Sequence, residues 1–313
     1  MSSASILAEQ AVLDAIDQQR LAAGMTVEAG QLLSDLRDDL LGILAVIAVT
    51  STSTRRLEKR ATEAITKAYK DLEAITDMAA IAEVFESKCI SDLEDAFPDA
   101  EITAPEEDDP ADVMGHPVGA WWARQAENLA FGFIGLGGAA FALSGPRLVV
   151  LMNTQANHAK SLIYTATTAA GGDARMRVYS ENEKVLSGDV GGFKQISVLD
   201  SRTSDVCRTY SGATWDLQLR PTGVKKLDFD GGCPRHDNCR SVIVPTPGTG
   251  VDENLNEETS FLAWIGSKSA AEQDAILGAG RLDQYRAGTI TLTQLLDARA
   301  NPISLEALRS KYA

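Results

Sequence analysis

The N-terminal part of the chain has its apolar residues in a helical pattern. In the clearest stretch, residues 55–75, apolar side chains recur every three or four positions, at Leu57, Ala61, Ile65, Ala68, Leu72 and Ile75. This spacing places them on one face of an α-helix. Gly24 with Thr26, and the serine and threonine run at 50–54, predict breaks between helices because hydroxyl side chains compete for backbone hydrogen bonds. We therefore expect residues 1–95 to form an N-terminal helical region, whose apolar stripe serves internal packing, docking of a partner protein, or both.

An acidic segment follows and leads into a second helical region. Residues 96–112 combine prolines with many carboxylates, which predicts a linker or a solvated loop. Residues 113–185 are predicted to hold long helices. The adjacent pair Trp121 and Trp122 predicts one buried ring and one at an interface. A further helix is expected to begin at Pro146, and the segment Ala170–Asp173 is expected to loosen or end it.

Two apolar stretches raise the question of a membrane segment. Leu40–Val49 and Leu129–Leu143 are both too short to span a bilayer, which takes about 20 residues. Both are predicted to be buried helix. The alternative is a segment that touches a membrane during a later rearrangement, but a membrane is not an expected partner.

The pattern changes to that of a small β-rich module at residues 186–250. Phe193–Leu199 alternates apolar and polar residues as a half-buried strand does, and Ala213–Leu217 and Ser241–Val244 predict two more strands. Residues 251–313 return to helical signals, with capping boxes that begin at Ser269 and Thr291. The predicted fold class is α+β: a mainly helical N-terminal and central region, a small antiparallel β module and a short helical tail.

One group of residues in the β module has metal-ligand chemistry. Cys233, His236 and Cys239 are separated by two residues each time, and Cys207 lies upstream, where a returning strand could bring it close. Four nitrogen and sulfur ligands suit a tetrahedral, structural zinc ion, which would contribute folding energy to so small a module. Two alternatives remain open. The cysteines could pack as reduced thiols with His236 bonded to the backbone, or Cys207 and Cys239 could form a disulfide.

The composition of the chain argues against several classes of protein function. The formal net charge of -15 disfavours general DNA binding, which depends on Lys and Arg contacts to phosphate. Four cysteines are too few for a disulfide-built secreted fold, and no signal peptide precedes the first helix, so we expect synthesis in a reducing cytoplasm. No phosphate-binding loop or nucleophile elbow occurs, and the chain has only three histidines. We predict no catalytic residues, no small-molecule substrate and no enzymatic activity.

Three stretches of the β module resemble the signature of the phage head-morphogenesis family, the Mu F-like minor head proteins. They are Val198–Arg208, the turn Ser211–Gly212, and His236–Pro245. The motif positions that match are Asp200, Arg202, Thr203, Gly212 and Arg240, together with Cys207, His236 and Cys239. Asp237 replaces the family's usual proline, and Ser241 stands where a further cysteine is common. The similarity extends from about residue 118 to the C-terminus.

The resemblance implies a function that composition alone does not. It implies a minor capsid protein, made in the host cytoplasm and located inside the capsid near the portal, with a part in head morphogenesis and DNA ejection. The expected partners are the portal protein, the major capsid protein or both, with weak or indirect contact to packaged DNA. The alternative is a toxin or effector that carries the same module with nuclease or ADP-ribosyltransferase activity.

Overall fold

The computed structural model describes residues 2–49, 54–106, 117–136, 141–197, 204–223, 226–247, 269–271, 273 and 287. These residues are mostly helical (71%) and include a four-stranded antiparallel sheet, which confirms the predicted α+β class. The predicted helical tail, residues 251–313, lies almost entirely outside the described residues.

Seven helices are present in the described part of the chain: α1 (Ser3–Val49), α2 (Thr54–Ile75), α3 (Met78–Ala96), α4 (Val118–Leu136), α5 (Phe141–Glu181), α6 (Glu183–Leu186) and α7 (Asp205–Tyr210). The helix predicted over 55–75 is α2, and α1 ends just before the serine and threonine run. The break predicted at Gly24 and Thr26 is wrong. There the Thr26 hydroxyl donates to the carbonyl of Ala22 at 2.7 Å, so it bonds within the helix. None of the described helices has the length and hydropathy needed to cross a membrane. The prediction that Leu129–Leu143 is wholly buried is wrong, because only one face of α4 is covered, by Leu129 and Phe133, and Phe131 is 83% exposed.

Helix α5 differs from its prediction at both ends. It begins at Phe141, so Pro146 lies within it. It also continues through Gly171 and Gly172. A Cβ on Gly171 would meet the Gln18 amide at 2.2 Å, and one on Gly172 would meet the Cys233 carbonyl oxygen at 2.9 Å. These glycines therefore permit close approach of α5 to its neighbours and do not end the helix.

The sheet has the order β3-β2-β1-β4, with β1 at Val190–Ile196, β2 at Thr214–Trp215, β3 at Pro221–Thr222 and β4 at Val242–Pro247. All three pairings are antiparallel. The prediction that β4 ends before its prolines is wrong, since Pro245 pairs with Phe193. Strand β4 lies at an edge of the sheet, where a proline without an N–H is tolerated.

The chain divides into two compact units. The first comprises residues 1–20, 82–108 and 168–313, and the second comprises 21–81 and 109–167. The core of the first unit joins the sheet to α1, α3 and α5, and includes Leu7, Leu93, Tyr179, Phe193, Trp215 and Ile243. In the second unit, Trp122 is buried and its indole donates to the Thr76 hydroxyl at 2.7 Å. Trp121 is half-buried.

A buried ion network links three helices of the first unit. The carboxylate of Asp14 on α1 lies 2.9 Å from Arg175 on α5 and 2.6 Å from Lys88 on α3. Both Asp14 and Arg175 are buried. Each charge is therefore taken out of water and depends on the other for compensation.

Candidate metal centre

Three of the four predicted ligands meet at one point of the first unit. The ligand atoms of Cys207, His236 and Cys239 all lie within 4.8 Å of one another. The sulfur of Cys207 lies 3.0 Å from Nε2 of His236 and 3.6 Å from the sulfur of Cys239. Both cysteines are buried and His236 is half-buried. This group could hold a metal ion.

Cys207 is positioned by a helix and not by the strand that the sequence suggested. It lies on the short helix α7, whose N-cap is Ser204. The Ser204 hydroxyl accepts a hydrogen bond from the Cys207 backbone N–H at 3.2 Å, the usual way for serine to begin a helix. One turn of helix thus directs the Cys207 side chain toward the loop that carries His236 and Cys239, called the knuckle loop below.

His236 and Cys239 are held by a tight turn. The backbone N–H of Cys239 donates to the carbonyl of His236 at 3.1 Å, and Asn238 between them has a φ of 57°. Asparagine tolerates this left-handed conformation better than most residues. The turn places an imidazole and a thiol three positions apart on the same side.

The histidine is oriented for ligation. Its Nδ1 lies 2.8 Å from the carbonyl oxygen of Asp237, which can only accept a hydrogen bond. A neutral ring with its proton on Nδ1 satisfies this carbonyl and leaves the lone pair of Nε2 directed toward Cys207. A hydrogen bond from the second ring nitrogen to a carbonyl is the usual way in which proteins fix the tautomer of a metal-binding histidine.

Without a metal, both buried sulfurs favour the thiol form. The hydrogen bond with Cys239, and then burial, raise the pKa of Cys207 well above its usual range. The hydrogen bond with Cys207 lowers the pKa of Cys239, but the hydrogen bond with Cys233 and burial outweigh it and hold that pKa at about 11. Metal binding at this group would therefore displace thiol protons.

The distances suit a tetrahedral ion. With Zn–S of about 2.3 Å and Zn–N of about 2.0–2.1 Å, tetrahedral angles place two sulfurs about 3.8 Å apart and sulfur and nitrogen about 3.6 Å apart. The observed sulfur–sulfur distance of 3.6 Å matches closely. The sulfur–nitrogen distance of 3.0 Å would open by about 0.6 Å as the hydrogen bond is replaced by an ion.

Cys233, the fourth predicted ligand, is adjacent to this group but not within it. Among the described residues, the group whose ligand atoms all approach within 4.8 Å contains only the other three. The half-buried thiol of Cys233 hydrogen-bonds to that of Cys239. All three cysteines of the module are free thiols, so the disulfide between Cys207 and Cys239 that the sequence left open is not formed.

Several residues around the group were not identified from the sequence. The hydroxyl of Ser241 donates to the Cys207 sulfur at 3.2 Å and lies 2.8 Å from the hydroxyl of Ser197, which donates to the Cys207 carbonyl. Pairing of Ile196 with Val242 brings these two serines together. A correct prediction of the register between β1 and β4 would have placed these two serines opposite each other.

Arg235 anchors the knuckle loop to the sheet. Its Nε donates to Oε1 of Gln195 at 2.7 Å, its guanidinium lies 3.5 Å from the centre of the Tyr210 ring, and it forms an ion pair with Asp230. Because this side chain connects β1, α7 and the loop, it fixes the position of the neighbouring His236.

Of the remaining residues of the predicted motif, the structure describes Gly212 and Arg240. Gly212, with a φ of 78°, donates its backbone N–H to the carbonyl of Gln195 at 2.8 Å and so ties the turn after α7 to β1. Arg240 is half-buried next to Cys239. Asp200, Arg202 and Thr203 lie outside the described residues. No protein-family model, curated protein or solved structure matches the chain.

Proposed function

We propose that the β module holds a structural zinc ion on Cys207, His236 and Cys239, with Cys233 as the fourth ligand. The observation that carries this proposal is the convergence of Nε2 of His236 with the sulfurs of Cys207 and Cys239, while Nδ1 of the same ring faces the Asp237 carbonyl. Two thiolates and an imidazole favour zinc over the hard cations that prefer oxygen ligands. Cys233 adjoins Cys239, so a small movement of the loop would complete a closed Cys₃His site.

The role proposed for the site is structural and not catalytic. Two buried thiols and a half-buried imidazole face one another, an arrangement that suits shared ligation of one ion. An ion there would link α7 to the knuckle loop that precedes β4. It would thus join two segments that lie about thirty positions apart in a small module.

We further propose that the chain is a phage minor head protein, a low-copy structural component of the virion near the portal. The proposal is supported by the resemblance of the residues around this cluster to the Mu F-like family signature. The helical regions would contact the portal protein or the major capsid protein. The charge of -15 favours a protein partner over packaged DNA.

Mass spectrometry of virions, purified by density gradient from the phage that encodes this chain, tests the role. We expect the chain at low copy in mature particles, and we expect purified portal protein to retain it on an affinity column. Virions without the chain, together with no retention by the portal protein, would contradict the proposed role and leave the metal proposal to its own test.

A further inference from the structure

Two helices of the second unit carry exposed stripes of opposite charge. The acidic stripe lies on α1 and consists of three exposed carboxylates, those of Glu28, Asp35 and Asp39. The basic stripe lies on α2 and consists of three exposed cations, those of Arg56, Arg60 and Lys67. At 3.6 residues per turn, the members of each stripe lie within about 40° of one another around the helix axis. Each stripe therefore forms one continuous charged face.

The two stripes do not pair with each other within one chain. In the part of the chain that the structure describes, no ion pair involves the first two cations of the basic stripe or any of the three carboxylates of the acidic stripe. Lys67 lies 2.8 Å from Asp71, but its side chain is 79% exposed. Exposed pairs of this kind contribute little, so all six charges remain available to a partner.

The charges of the two stripes have the same spacing in opposite directions. Along the basic stripe, successive charges are four and then seven positions apart. Along the acidic stripe, read from its C-terminal end, they are also four and then seven positions apart. Both sets therefore have steps of about 6 Å and about 10.5 Å along the helix. Two such helices laid antiparallel bring three pairs of opposite charge together: Asp39 with Arg56, Asp35 with Arg60, and Glu28 with Lys67.

The other carboxylates of α2 are compatible with this register. Glu63 lies on the same face as the basic stripe, 3.7 Å from Lys59, and falls opposite Leu32 when the three pairs are aligned. No carboxylate then faces it. A shift of the two helices by four positions in either direction keeps only one of the three pairs and sets Glu28 against Asp71 or Glu63. Because like charges repel, those shifted registers are less favourable.

We propose that the acidic stripe of one copy packs antiparallel against the basic stripe of a second copy, so that the chain self-associates through its second unit. The matched spacing, and not charge alone, identifies a second copy as the partner. Exposed ion pairs are individually weak and are screened by salt, so the association is expected at low ionic strength and high protein concentration. This inference rests on α1 and α2 and not on the metal centre or the proposed virion role, so it can fail independently of both.

Sedimentation equilibrium of the full chain tests the proposal. We expect oligomers in about 50 mM salt that dissociate in about 500 mM salt. Arg60→Glu/Lys67→Glu should self-associate at least about tenfold more weakly than the wild type, because like charges would then face each other. The matched control is Arg124→Glu/Lys160→Glu, which changes the net charge equally at two exposed positions of the same unit. It should associate as the wild type does. Circular dichroism checks that each variant keeps its helices.

A mixing experiment tests whether the two stripes contact each other. Glu28→Lys/Asp35→Lys should also lose self-association, and mixing it with Arg60→Glu/Lys67→Glu should restore association, because opposite charges then face each other between the two variants. A wild-type chain that is monomeric in low salt, or a basic-stripe variant that associates as strongly as the wild type, would overturn the proposal. So would loss of association in both variants without recovery on mixing.

Discussion

Asp14 is the residue on which the ion network of the first unit depends, because it pairs with both Arg175 and Lys88. Asp14→Asn keeps the shape but leaves the buried guanidinium without its counter-charge. We expect the free energy of unfolding to fall by about 3–5 kcal/mol, measured by urea denaturation. Asp38→Asn is the control, since its carboxylate is 65% exposed and pairs with Arg37 on the surface. Equal, small losses in both variants would contradict the assigned role of Asp14.

Asp92 gives the same region a pH dependence. Burial, and then the charge of Asp14, raise its pKa from 3.8 to about 6. The folded state therefore binds this proton more tightly than the unfolded chain does. The resulting stability is fully present below about pH 4 and is lost as the pH rises through about 6.

Replacement of Asp92 tests whether its ionisation lowers the stability of the folded chain. Asp92→Asn should raise the free energy of unfolding by about 1 kcal/mol at pH 7.5, a value reduced for partial exposure, and change it little at pH 4. Urea denaturation at the two pH values measures the difference. A variant that is less stable than the wild type at pH 7.5 would show that the Asp92 carboxylate is favourably paired instead.

At the scale of elements, Gly192 determines how β1 meets β2. Its φ is 152°, and a Cβ there would lie 2.0 Å from the carbonyl oxygen of Trp215. Gly192→Ala should therefore push the strands apart and cost about 2–4 kcal/mol of stability. Gly188→Ala, where a Cβ would meet nothing within 4 Å, is the control. Comparison of their thermal midpoints checks the prediction, and similar midpoints would refute it.

The elements show which features the sequence could predict. The apolar repeat of α2 is local, so that helix was predicted correctly. The strand predicted over Phe193–Leu199 is present as β1 (Val190–Ile196), but the prediction that it is half-buried is wrong, because Lys194 and Gln195 are buried as well. Gly24 and Gly171 were misread as helix breaks, because the Thr26 back-bond and the packing of Gln18 are not visible in local composition. Pro245 was misread as a strand end, because its tolerance depends on the edge position of β4.

The candidate site likewise combines features that are visible in the local sequence with features that depend on tertiary contacts. Residue types and spacing were enough to single out Cys207, His236 and Cys239, which meet in a group that could hold a metal ion, but they also named Cys233, which lies beside that group. The hydroxyl of Ser241 that supports Cys207 reaches it through the pairing of β1 with β4. Such supporting contacts follow from tertiary structure, so they could not be inferred from the motif alone.

At the scale of the whole molecule, segments far apart in sequence build each unit. The contact between Asp14 and Arg175 spans 161 positions, and no local pattern reports it. We propose that a metal ion links two such separated segments of the β module. The folded chain must then bind the ion, and loss of a ligand must release it.

Elemental analysis of the purified full chain shows whether this ion is bound. We expect about one zinc per chain in the wild type and in Cys89→Ala, which removes a buried cysteine outside the site. Cys239→Ser should lose the metal, and the β module should become less stable to heat. A wild-type chain without zinc, or a Cys239→Ser variant that keeps it, would contradict the account and reduce the cluster to packed thiols around a backbone-bonded histidine.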